Sequence, residues 1–386
     1  MTSPDRPSTQ RALVDWLIGP ARQEATPEEI VGGVAERLAE AGIPLLRVRI
    51  GQSVANPLIS AWGVIWSRAG GPERYTVPRG MLATASYKGS PFEHVLTTRR
   101  SFHHSLENLM VGKDHPVLFE LAESGSTDYL AIPIAYGNGS LQASAFTTDR
   151  PGGFHDAEIA LIESLAPAIG AALEPAAMRH SMASLLEVYL GTGPADRVGK
   201  GAFRRGETSE IDAAVLITDL RDSTGMSERL APDALLERLG AYFEIVVEAV
   251  RSQGGDVLKF VGDGVLAVFP AEHGGRHEAC QRAARAIENA FAKAAGMRFV
   301  AALHVGPVVY GNIGSLDRLD FTVVGPTVNY LSRLEGIAKS LDRRAVCSKE
   351  VAAVLAGEFA ISLGDQTLKG FAEPQEVFEL RLPDRA

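Results

Sequence analysis

The positions of apolar residues in the first half of the chain predict a helix, a set of strands and a closing helix. Thr26, Pro27 and Glu29 form the pattern of a capping box with proline in the first turn, which predicts a helix that ends at Gly42. Apolar runs predict strands at 45–50, 61–66 and 81–87, and a hairpin at 129–136 and 141–147. A second helix is predicted to begin near 155–156. This order predicts an α+β domain of the sensor type.

The second half of the chain contains apolar strands that end in aspartates. The run 213–218 ends at Asp219, and the segments on either side of Asp263 predict a hairpin, because the following Gly264 can adopt the positive φ of a tight turn. Helices are predicted at 233–252, 278–295 and 327–340, and further strands at 298–312, 320–324 and 377–380. These elements predict an α+β, palm-like sheet with helices on one face.

A connector separates the two halves. Residues 176–190 keep a helical pattern, which the stretch from Gly191 to Pro194 breaks before a short basic segment. We therefore predict domains at 1–175 and 211–386, joined by a helical linker at 176–210. Two interpretations of the linker stay open: it is a solvated spacer, or it is a signalling helix that pairs with a second copy of the chain.

Composition narrows the class of protein. The chain has 386 residues and a net charge of −9, which argues against binding to nucleic acid or to an anionic membrane. Cys280 and Cys347 are its two cysteines, too few for a disulfide framework, and this predicts a reducing, cytoplasmic location. Uninterrupted apolar runs of 18 residues are absent from the sequence, so we expect no membrane-spanning helix.

Four polar residues carry the candidate chemistry. Asp219 and Asp263 follow apolar strands whose ends can meet, and paired carboxylates suit Mg²⁺ or Mn²⁺ and phosphoryl chemistry. Asn329 and Arg333 are four residues apart, so they share one side of the predicted helix. Arginine offers a planar fork of donors for phosphate, and asparagine offers an amide that can orient a hydroxyl.

Four ordered motifs resemble those of the class III nucleotidyl cyclases; they lie at 218–224, 254–264, 304–314 and 321–333, within the matching region 207–381. The resemblance implies a ferredoxin-like cyclase homology domain that converts ATP to cyclic AMP and pyrophosphate. It implies two Mg²⁺ or Mn²⁺ ions held by Asp219, Asp263 and the backbone of Leu220. It also implies that the backbone from Leu220 to Thr224 lies against the phosphates at a helix start.

The same resemblance assigns the remaining roles. Asn329 would orient the ribose, and Arg333 would stabilise charge that develops on the α-phosphate. Lys259 would donate to adenine, where glutamate would indicate guanine. Thr322 would accept from the adenine amino group, with Asp320 on the same strand face as an alternative acceptor. Lys369 resembles a lysine that binds the triphosphate.

In this family one protomer supplies the metal-binding aspartates, and the other supplies the base-reading pair and the Asn/Arg pair. Because this chain carries both sets, the resemblance implies a homodimer with two complementary sites, and an inactive monomer. Two alternatives stay open. The chain is a guanylate cyclase, which Lys259 argues against, or it is an inactive cyclase-like binding module, which the complete residue set argues against.

The first half of the chain resembles GAF domains in its order of elements and in its ending, residues 153–165. The resemblance implies a GAF-like sensor that regulates the catalytic domain and that has a possible small-molecule ligand. The adjacent His103 and His104 invite a haem hypothesis. We interpret them as polar surface residues on a loop, because isolated motifs of this kind often mislead.

Overall fold

A computed structural model describes residues 6–54, 56–84, 86–137, 139–202, 204–272, 274–294, 296–355 and 360–381. The chain divides into two compact units, Met1–Leu185 and Leu186–Ala386. The predicted domain limits at 175 and 210 stay predictions.

The first unit is an α+β unit built on one antiparallel sheet. In chain order its elements are α1 (Arg6–Trp16), a π-helical turn (Leu17–Ala21), α2 (Arg22–Glu24), α3 (Pro27–Glu40), β1 (Leu45–Ser53), β2 (Ile59–Ser67), β3 (Gly71–Pro78), a 3-10 turn (Arg79–Ala83), α4 (Pro91–Thr98), β4 (Phe102–Ser105), α5 (Pro116–Glu123), β5 (Asp128–Ala135), β6 (Leu141–Thr148) and α6 (Asp156–Leu190). The strand order is β3-β2-β1-β6-β5-β4. The predicted capping box is present at α3, where the Thr26 side chain accepts from the Glu29 backbone and Glu29 accepts from the Thr26 backbone.

Both faces of this sheet are covered. Apolar residues on one face, such as Val48, Ile50 and Phe146, pack with α3 and the first half of α6. The opposite face carries Tyr129 and a set of alanines, and it packs on α4 and α5. The alternation of the two sets along each strand follows from the two-residue period of a β-strand.

The predicted strand at 81–87 is wrong. Residues Arg79–Ala83 form a 3-10 turn, and the strand that pairs with β2 is Gly71–Pro78. The hairpin register explains this result, because Ser67 pairs with Gly71 and the partner strand therefore begins directly after a short turn. The strand at 71–78 lies at the sheet edge with mostly exposed side chains, so it lacks the apolar pattern on which the prediction depended.

The two adjacent histidines lie on strand β4, not on a loop. His103 Nε2 lies 2.7 Å from Asp128 Oδ2, and His104 Nε2 lies 3.1 Å from Asp114 Oδ1. His103 therefore hydrogen bonds to a carboxylate, whereas His104 lies near one without a hydrogen bond among the described residues.

Helix α6 is long and apolar. It continues through Pro167 and Pro175, and residues such as Ile162, Leu165 and Ile169 are buried in the core of the first unit. By length and composition alone, it is the one helix within the described residues that meets a membrane-span criterion, with a mean hydropathy of 1.4 and 44% of that window buried. A single helix of this kind is weak evidence, since core helices of soluble proteins meet the same criterion.

The second unit is built on a larger sheet. In chain order its elements after α6 are α7 (Thr192–Gly199), β7 (Thr208–Leu220), α8 (Ser223–Arg229), α9 (Pro232–Ser252), β8 (Asp256–Val261), β9 (Gly264–Pro270), α10 (Gly275–Lys293), β10 (Phe299–Gly314), β11 (Leu319–Val324), α11 (Pro326–Ser340), β12 (Ala345–Ser348), α12 (Lys349–Val354), β13 (Ala360–Gln366) and β14 (Gln375–Leu380). The strand order is β13-β14-β12-β10-β7-β9-β8, and β11 pairs with β10.

Helices cover both faces of this sheet, so the expectation of helices on one face is wrong. Ala214 and Leu216 of β7 pack in a core with α9, α10 and α12. Their neighbours Ala213 and Val215 pack in a second core with Leu331 and other residues of α11. The predicted helix at 327–340 thus lies on the face opposite the other three, because β7 is apolar on both sides.

The basic segment after α6 belongs to the second unit. Gly191 (φ 85°) breaks the helical pattern as predicted, and α7 follows at once. A Cβ on Gly191 would lie 2.7 Å from the Val257 carbonyl oxygen, so the chain passes very close to β8 here. The guanidinium of Arg197 lies 4.7 Å from the centre of the Tyr310 ring. This part of the predicted connector is therefore packed against the sheet.

We expect Glu158→Gln to destabilise the first unit by about 1–3 kcal/mol at neutral pH, because Glu158 is buried and its carboxylate binds Arg150. Arg150 Nη1 donates to Glu158 Oε1 at 3.0 Å, and the His155 backbone N–H donates to Oε2 at 2.8 Å. Burial favours the neutral acid, yet these hydrogen bonds lower the pKa of Glu158 below its ordinary 4.5. Urea unfolding monitored by circular dichroism measures the difference.

A carboxyl group whose pKa is lower in the folded state than in the unfolded state stabilises the fold at any pH above its unfolded-state pKa. This stabilisation is lost as the pH falls through the folded-state pKa. The gap between wild type and Glu158→Gln should therefore shrink at acid pH. Glu163→Gln, on an exposed position of the same helix, is the control and should stay within about 0.5 kcal/mol of wild type. A stability difference between wild type and Glu158→Gln that grows as the pH falls would contradict a lowered pKa for Glu158.

Candidate active site

Two aspartates meet where β7 ends beside the β8–β9 hairpin. Asp219 pairs in register with Gly264, so Asp263 at the hairpin tip lies next to it. The Leu220 backbone N–H points to the Asp263 carbonyl oxygen at 3.4 Å. The hairpin is the one predicted, although the residue with positive φ is Gly262 (φ 63°) and not Gly264. Strand pairing therefore brings together the two carboxylates that the sequence singled out.

The two carboxylates differ in their partners. Asp219 Oδ1 accepts from Lys339 Nζ at 2.7 Å, and the same ammonium contacts Glu335 Oε1 at 2.6 Å. Asp263 Oδ2 is buried and has no hydrogen-bond partner among the described residues. A buried carboxylate oxygen without a donor is costly, so this position favours a cationic ligand.

Electrostatics at the pair follow from burial. Burial raises the pKa of Asp219 above its ordinary 3.8, and the neighbouring Asp263 adds to this effect, whereas Lys339 opposes it. The contacts with Asp219 and Glu335 outweigh burial at Lys339 and raise the pKa of its ammonium. Lys339 therefore stays charged and offsets part of the repulsion between the carboxylates. Its position was not found from the sequence, where its spacing from Asn329 and Arg333 gave no signal.

A cavity of about 890 Å³ opens in front of the aspartates. Residues 220–223 line it, and the side chain of Thr224 lies outside the described residues. The expected contact of this backbone with phosphates stays a prediction. Its other lining residues include a set of basic side chains: Arg221, Arg229, Arg238, Arg298 and Lys339. Some of these already have acidic partners, as Arg229 has in Asp222 and Arg221 has in Asp342. The cavity thus combines an acidic floor with a cationic rim, which suits a polyphosphate and its cations.

Asn329 and Arg333 lie elsewhere on the same unit. Both are exposed on α11 and neither lines this cavity. At about 100° per residue they share one side of the helix, whereas Glu335 and Lys339 share another side. Within the described part of the chain, neither side chain of the Asn/Arg pair makes a hydrogen bond or ion pair. The structure therefore separates this pair from the two aspartates of its own chain.

The two residues expected to read a base lie together. Lys259 on β8 donates to Asp320 Oδ2 on β11 at 2.5 Å. Thr322, two residues along β11 on the same strand face, is buried, and its hydroxyl has no partner in the described residues. An unsatisfied buried hydroxyl on the strand that also bears the partner of Lys259 suits a donor or acceptor on a ligand. These residues also lie outside the cavity that Asp219 lines.

Lys369 is exposed beside the buried Leu368 and does not line the cavity in front of the aspartates. A contact between Lys369 and a triphosphate held in this cavity by the same chain is therefore not supported. Its assignment stays a prediction.

The chemistry of the donor set fits a divalent cation. Asp219, the orphaned oxygen of Asp263 and the Leu220 carbonyl supply hard oxygen ligands of the kind that Mg²⁺ and Mn²⁺ prefer. Clusters of three or more His, Cys, Asp or Glu side chains suited to a metal are absent from the residues described. Two side-chain carboxylates would therefore need further oxygens from water or a phosphate, which is usual for Mg²⁺.

The second unit is similar to known cyclases. Residues 207–381 match the family model described as the adenylate and guanylate cyclase catalytic domain. Adenylate cyclase 1 of Rhizobium meliloti is 31% identical over 195 residues, which is 47% of this chain and 28% of that protein. Adenylate cyclase of Anabaena cylindrica is 28% identical over 193 residues, 46% of this chain and 38% of that protein. The chain thus spans well under half the length of these two relatives.

Among solved structures, the adenylyl cyclase CyaB from P. aeruginosa is 25% identical, with a TM-score of 0.41, covering 46% of this chain and 97% of that one.

We expect Lys339→Met to lower stability by about 1–2 kcal/mol without divalent ions, because it leaves Asp219 and Glu335 without their shared cation. This loss of stability is smaller than that expected on breaking a fully buried ion pair, since the Lys339 side chain is 43% exposed. Added Mg²⁺ should raise the melting temperature of the variant more than that of wild type. Differential scanning fluorimetry with and without Mg²⁺ measures both effects.

Lys293→Met is the matched control. It removes an exposed lysine that pairs with Glu248 on the same unit, so its effect should stay below about 0.5 kcal/mol. Equal Mg²⁺ responses of wild type and Lys339→Met would show that the ammonium and the cation do not share a site.

Proposed function

We propose that this chain, whose residues 207–381 form a class III cyclase catalytic domain, is an adenylate cyclase. It converts ATP to 3′,5′-cyclic AMP and pyrophosphate at the interface of a homodimer, under the control of its N-terminal unit. The observation that carries the proposal is the division of the candidate residues. Asp219 and Asp263 line one cavity, whereas Asn329 and Arg333 are exposed, do not line it and have no partners among the described residues.

This division supports a shared site. A protomer that supplies the aspartates needs an asparagine and an arginine from a second copy, and a two-fold arrangement satisfies both sites at once. Lys259 and Thr322 would act with the Asn/Arg pair, because they too lie outside the aspartate cavity. The unpartnered state of Asn329, Arg333 and Thr322 agrees with residues that await a ligand in the dimer.

The roles follow from the chemistry of the side chains. Asp219, Asp263 and the Leu220 carbonyl would hold two Mg²⁺ or Mn²⁺ ions, which lower the pKa of the ribose 3′-hydroxyl and neutralise phosphate charge. The hydroxyl oxygen attacks the α-phosphorus, the α–β bridging P–O bond breaks, and pyrophosphate leaves. Asn329 holds the ribose in line for this attack. Arg333 donates to the α-phosphate, where such a donor is worth about 3 kcal/mol in the transition state.

The basic rim of the cavity would bind the leaving pyrophosphate. Arg238 and Arg298 are exposed lining residues, and their side chains can turn toward phosphate oxygens at little cost. Lys339 would release Asp219 when a cation takes over its contact, and its ammonium would then remain near Glu335. The proton of the 3′-hydroxyl would pass to solvent or to a substrate phosphate oxygen.

Lys259 on β8 and Thr322 on β11 favour adenine over guanine. Lys259 can donate to adenine N1, which is an acceptor, whereas guanine carries a hydrogen at N1. The free hydroxyl of Thr322 can accept from the adenine amino group. Asp320 already accepts from Lys259, so it serves to orient the ammonium in this arrangement. A guanylate cyclase is the alternative, and the test of base preference below separates the two.

The N-terminal unit is proposed as a GAF-like regulatory domain. Its antiparallel six-stranded sheet with helices on both faces supports this reading. Helix α6 begins in the core of this unit and continues to Leu190, directly before the packed segment that leads into β7. Its second half has exposed apolar residues, Met178 and Met182, which suit pairing with a second copy. A cytoplasmic location completes the proposal.

The shared site is tested by mixing inactive variants. Asp219→Asn and Arg333→Ala should each lower cyclase activity at least a hundredfold, because each removes one half of every site. Their mixture should recover up to about a quarter of wild-type activity, since one site of each heterodimer unites two intact halves. Cyclic AMP formation from ATP, measured by chromatography after subunit exchange, is the readout.

The control is a mixture of Asp219→Asn with Asp263→Asn. Both substitutions then affect the half of the site that supplies the aspartates, so every site in the mixture is defective and no activity should be recovered. Asp212→Asn, at an exposed position on the same strand β7, should keep activity within about twofold of wild type. Recovery in the Asp219/Asp263 mixture, or none in the Asp219/Arg333 mixture despite proven exchange, would overturn the shared site.

Base preference is tested at Lys259. Lys259→Glu should lower kcat/KM for ATP by about ten- to a hundredfold relative to GTP, because a polar mismatch with the base costs about 1–3 kcal/mol. Thr322→Ala should cost less, since it removes one neutral hydrogen bond. Lys349→Glu, an exposed substitution on α12, is the charge-matched control. A wild-type preference for GTP would establish the guanylate alternative instead.

A further inference from the structure

A second cavity, of about 230 Å³, lies within the first unit. It lies between α4, α5 and the sheet face opposite the α3–α6 core. Its sheet wall comes from alternate residues of β1 and β6, Arg47, Arg49, Ala143 and Ala145. The two alanines are small for strand positions that face helices, so the space they leave is built into the sequence and is not a packing fault.

Two arginines face this cavity, and neither has an acidic partner among the described residues. Arg47 and Arg49 are two residues apart on β1 and therefore point to the same face. Ion pairs to either guanidinium are absent from the described part of the chain, and the buried Nε of Arg49 makes no hydrogen bond there. Burial, and then the charge of Arg49, lowers the pKa of Arg47. Two like charges in a half-buried recess are unfavourable unless an anion joins them.

Arg49 is held in place by aromatic rings. Its guanidinium carbon lies 4.4 Å from the centre of the Tyr75 ring and 4.8 Å from that of Phe92. Tyr75 itself lies over two glycines, since a Cβ on Gly51 or Gly63 would come within 2.5 and 2.8 Å of its hydroxyl oxygen. These two cation–π contacts restrain the guanidinium and leave its N–H groups unused by the rings. A restrained guanidinium with unused N–H groups can bind an oxyanion through two parallel hydrogen bonds.

We propose that this cavity binds a small organic anion, with its carboxylate or phosphate on Arg47 and Arg49 and its apolar body among the surrounding rings and aliphatic side chains. The apolar part of the wall comes from Phe92, Leu96, Val117, Leu121 and Tyr129. The volume lies below the roughly 300–1,000 Å³ of drug-sized sites, so the ligand is of metabolite size. The inference does not depend on the reaction of residues 207–381, because it is tested by binding.

The experiment uses the full chain and three probes of similar shape: benzoate, phenyl phosphate and the neutral benzamide. Thermal unfolding is measured with each probe, at matched ionic strength. One or both anions should raise the melting temperature of wild type by about 3–6 °C at roughly ten times Kd, whereas benzamide should give a shift near zero. The stronger of the two anions identifies the oxyanion, carboxylate or phosphate.

Arg49→Met and Arg47→Met keep the aliphatic bulk and remove the charge. Each should weaken anion binding at least tenfold by isothermal titration, and Arg49→Lys should restore only part of it, since lysine lacks the planar fork. Arg100→Met, at an exposed position of the same unit, should bind like wild type. Without probe, the two cavity variants should be at least as stable as wild type, because a like-charge contact has been removed.

The proposal fails in three cases. In the first, neither anion raises the melting temperature of wild type more than benzamide does. In the second, the Arg47 and Arg49 variants bind the anions as wild type does. In the third, Arg100→Met loses as much binding as the two cavity variants do. A cavity variant whose melting temperature without probe lies well below that of wild type also counts against the proposal, since the arginine charge would then stabilise the fold. These outcomes concern binding alone, so they are separate from any failure of the cyclase assays.

Discussion

The pairing of β7 with β9 places two carboxylates side by side at the strand ends of a buried sheet, and the proposed site depends on how their repulsion is relieved. Asp219 lies opposite Gly264 in the ladder, and Asp263 follows from the hairpin that closes it. Backbone hydrogen bonds fix this geometry before any ligand arrives. Lys339 supplies one positive charge from α11, and one oxygen of Asp263 is left without a donor among the described residues. The site is thus arranged for a further cation.

Helix α11 connects the two halves of the proposed site. It packs by Leu331 and Leu334 on the sheet face opposite α9 and α10. One polar side of the helix reaches its own Asp219 through Lys339, and another carries Asn329 and Arg333, which do not line the aspartate cavity. Asn329 and Arg333 lie on average about 100° around the helix axis from Lys339. Lys339 lines the cavity in front of the aspartates, whereas Asn329 and Arg333 do not. The proposed site therefore takes Asn329 and Arg333 from a second copy of the chain.

The two units use buried charge in contrasting ways. In the second unit, excess negative charge at Asp219 and Asp263 favours a cation. In the first unit, excess positive charge at Arg47 and Arg49 favours an anion. Elsewhere the first unit satisfies its buried charges internally, as with Arg150 and Glu158 or with His103 and Asp128. Arg47 and Arg49, which have no acidic partner among the described residues, differ from these pairs, and this difference is the basis of the proposed anion site.

The sequence by itself determined the elements with strong local signals and the residues that carry the chemistry. The capping box at Thr26, the hairpin at Asp263 and the helix that bears Asn329 and Arg333 follow from short-range rules of hydrogen bonding and periodicity. The motifs around them resembled a cyclase domain, and the match at 207–381 agrees with it. Edge strand β3 was missed because its exposed side chains carry no apolar pattern.

Only the tertiary structure decided what depends on residues far apart in the chain. Strand order placed helices on both sides of the second sheet, and no local pattern distinguishes one face from the other. The contact of Lys339 with Asp219 spans more than a hundred residues, so no spacing rule could reveal it. The same holds for Arg49, whose stacking partners Tyr75 and Phe92 come from other elements. Local sequence sets which side chains are available, whereas long-range packing sets which of them remain unpaired.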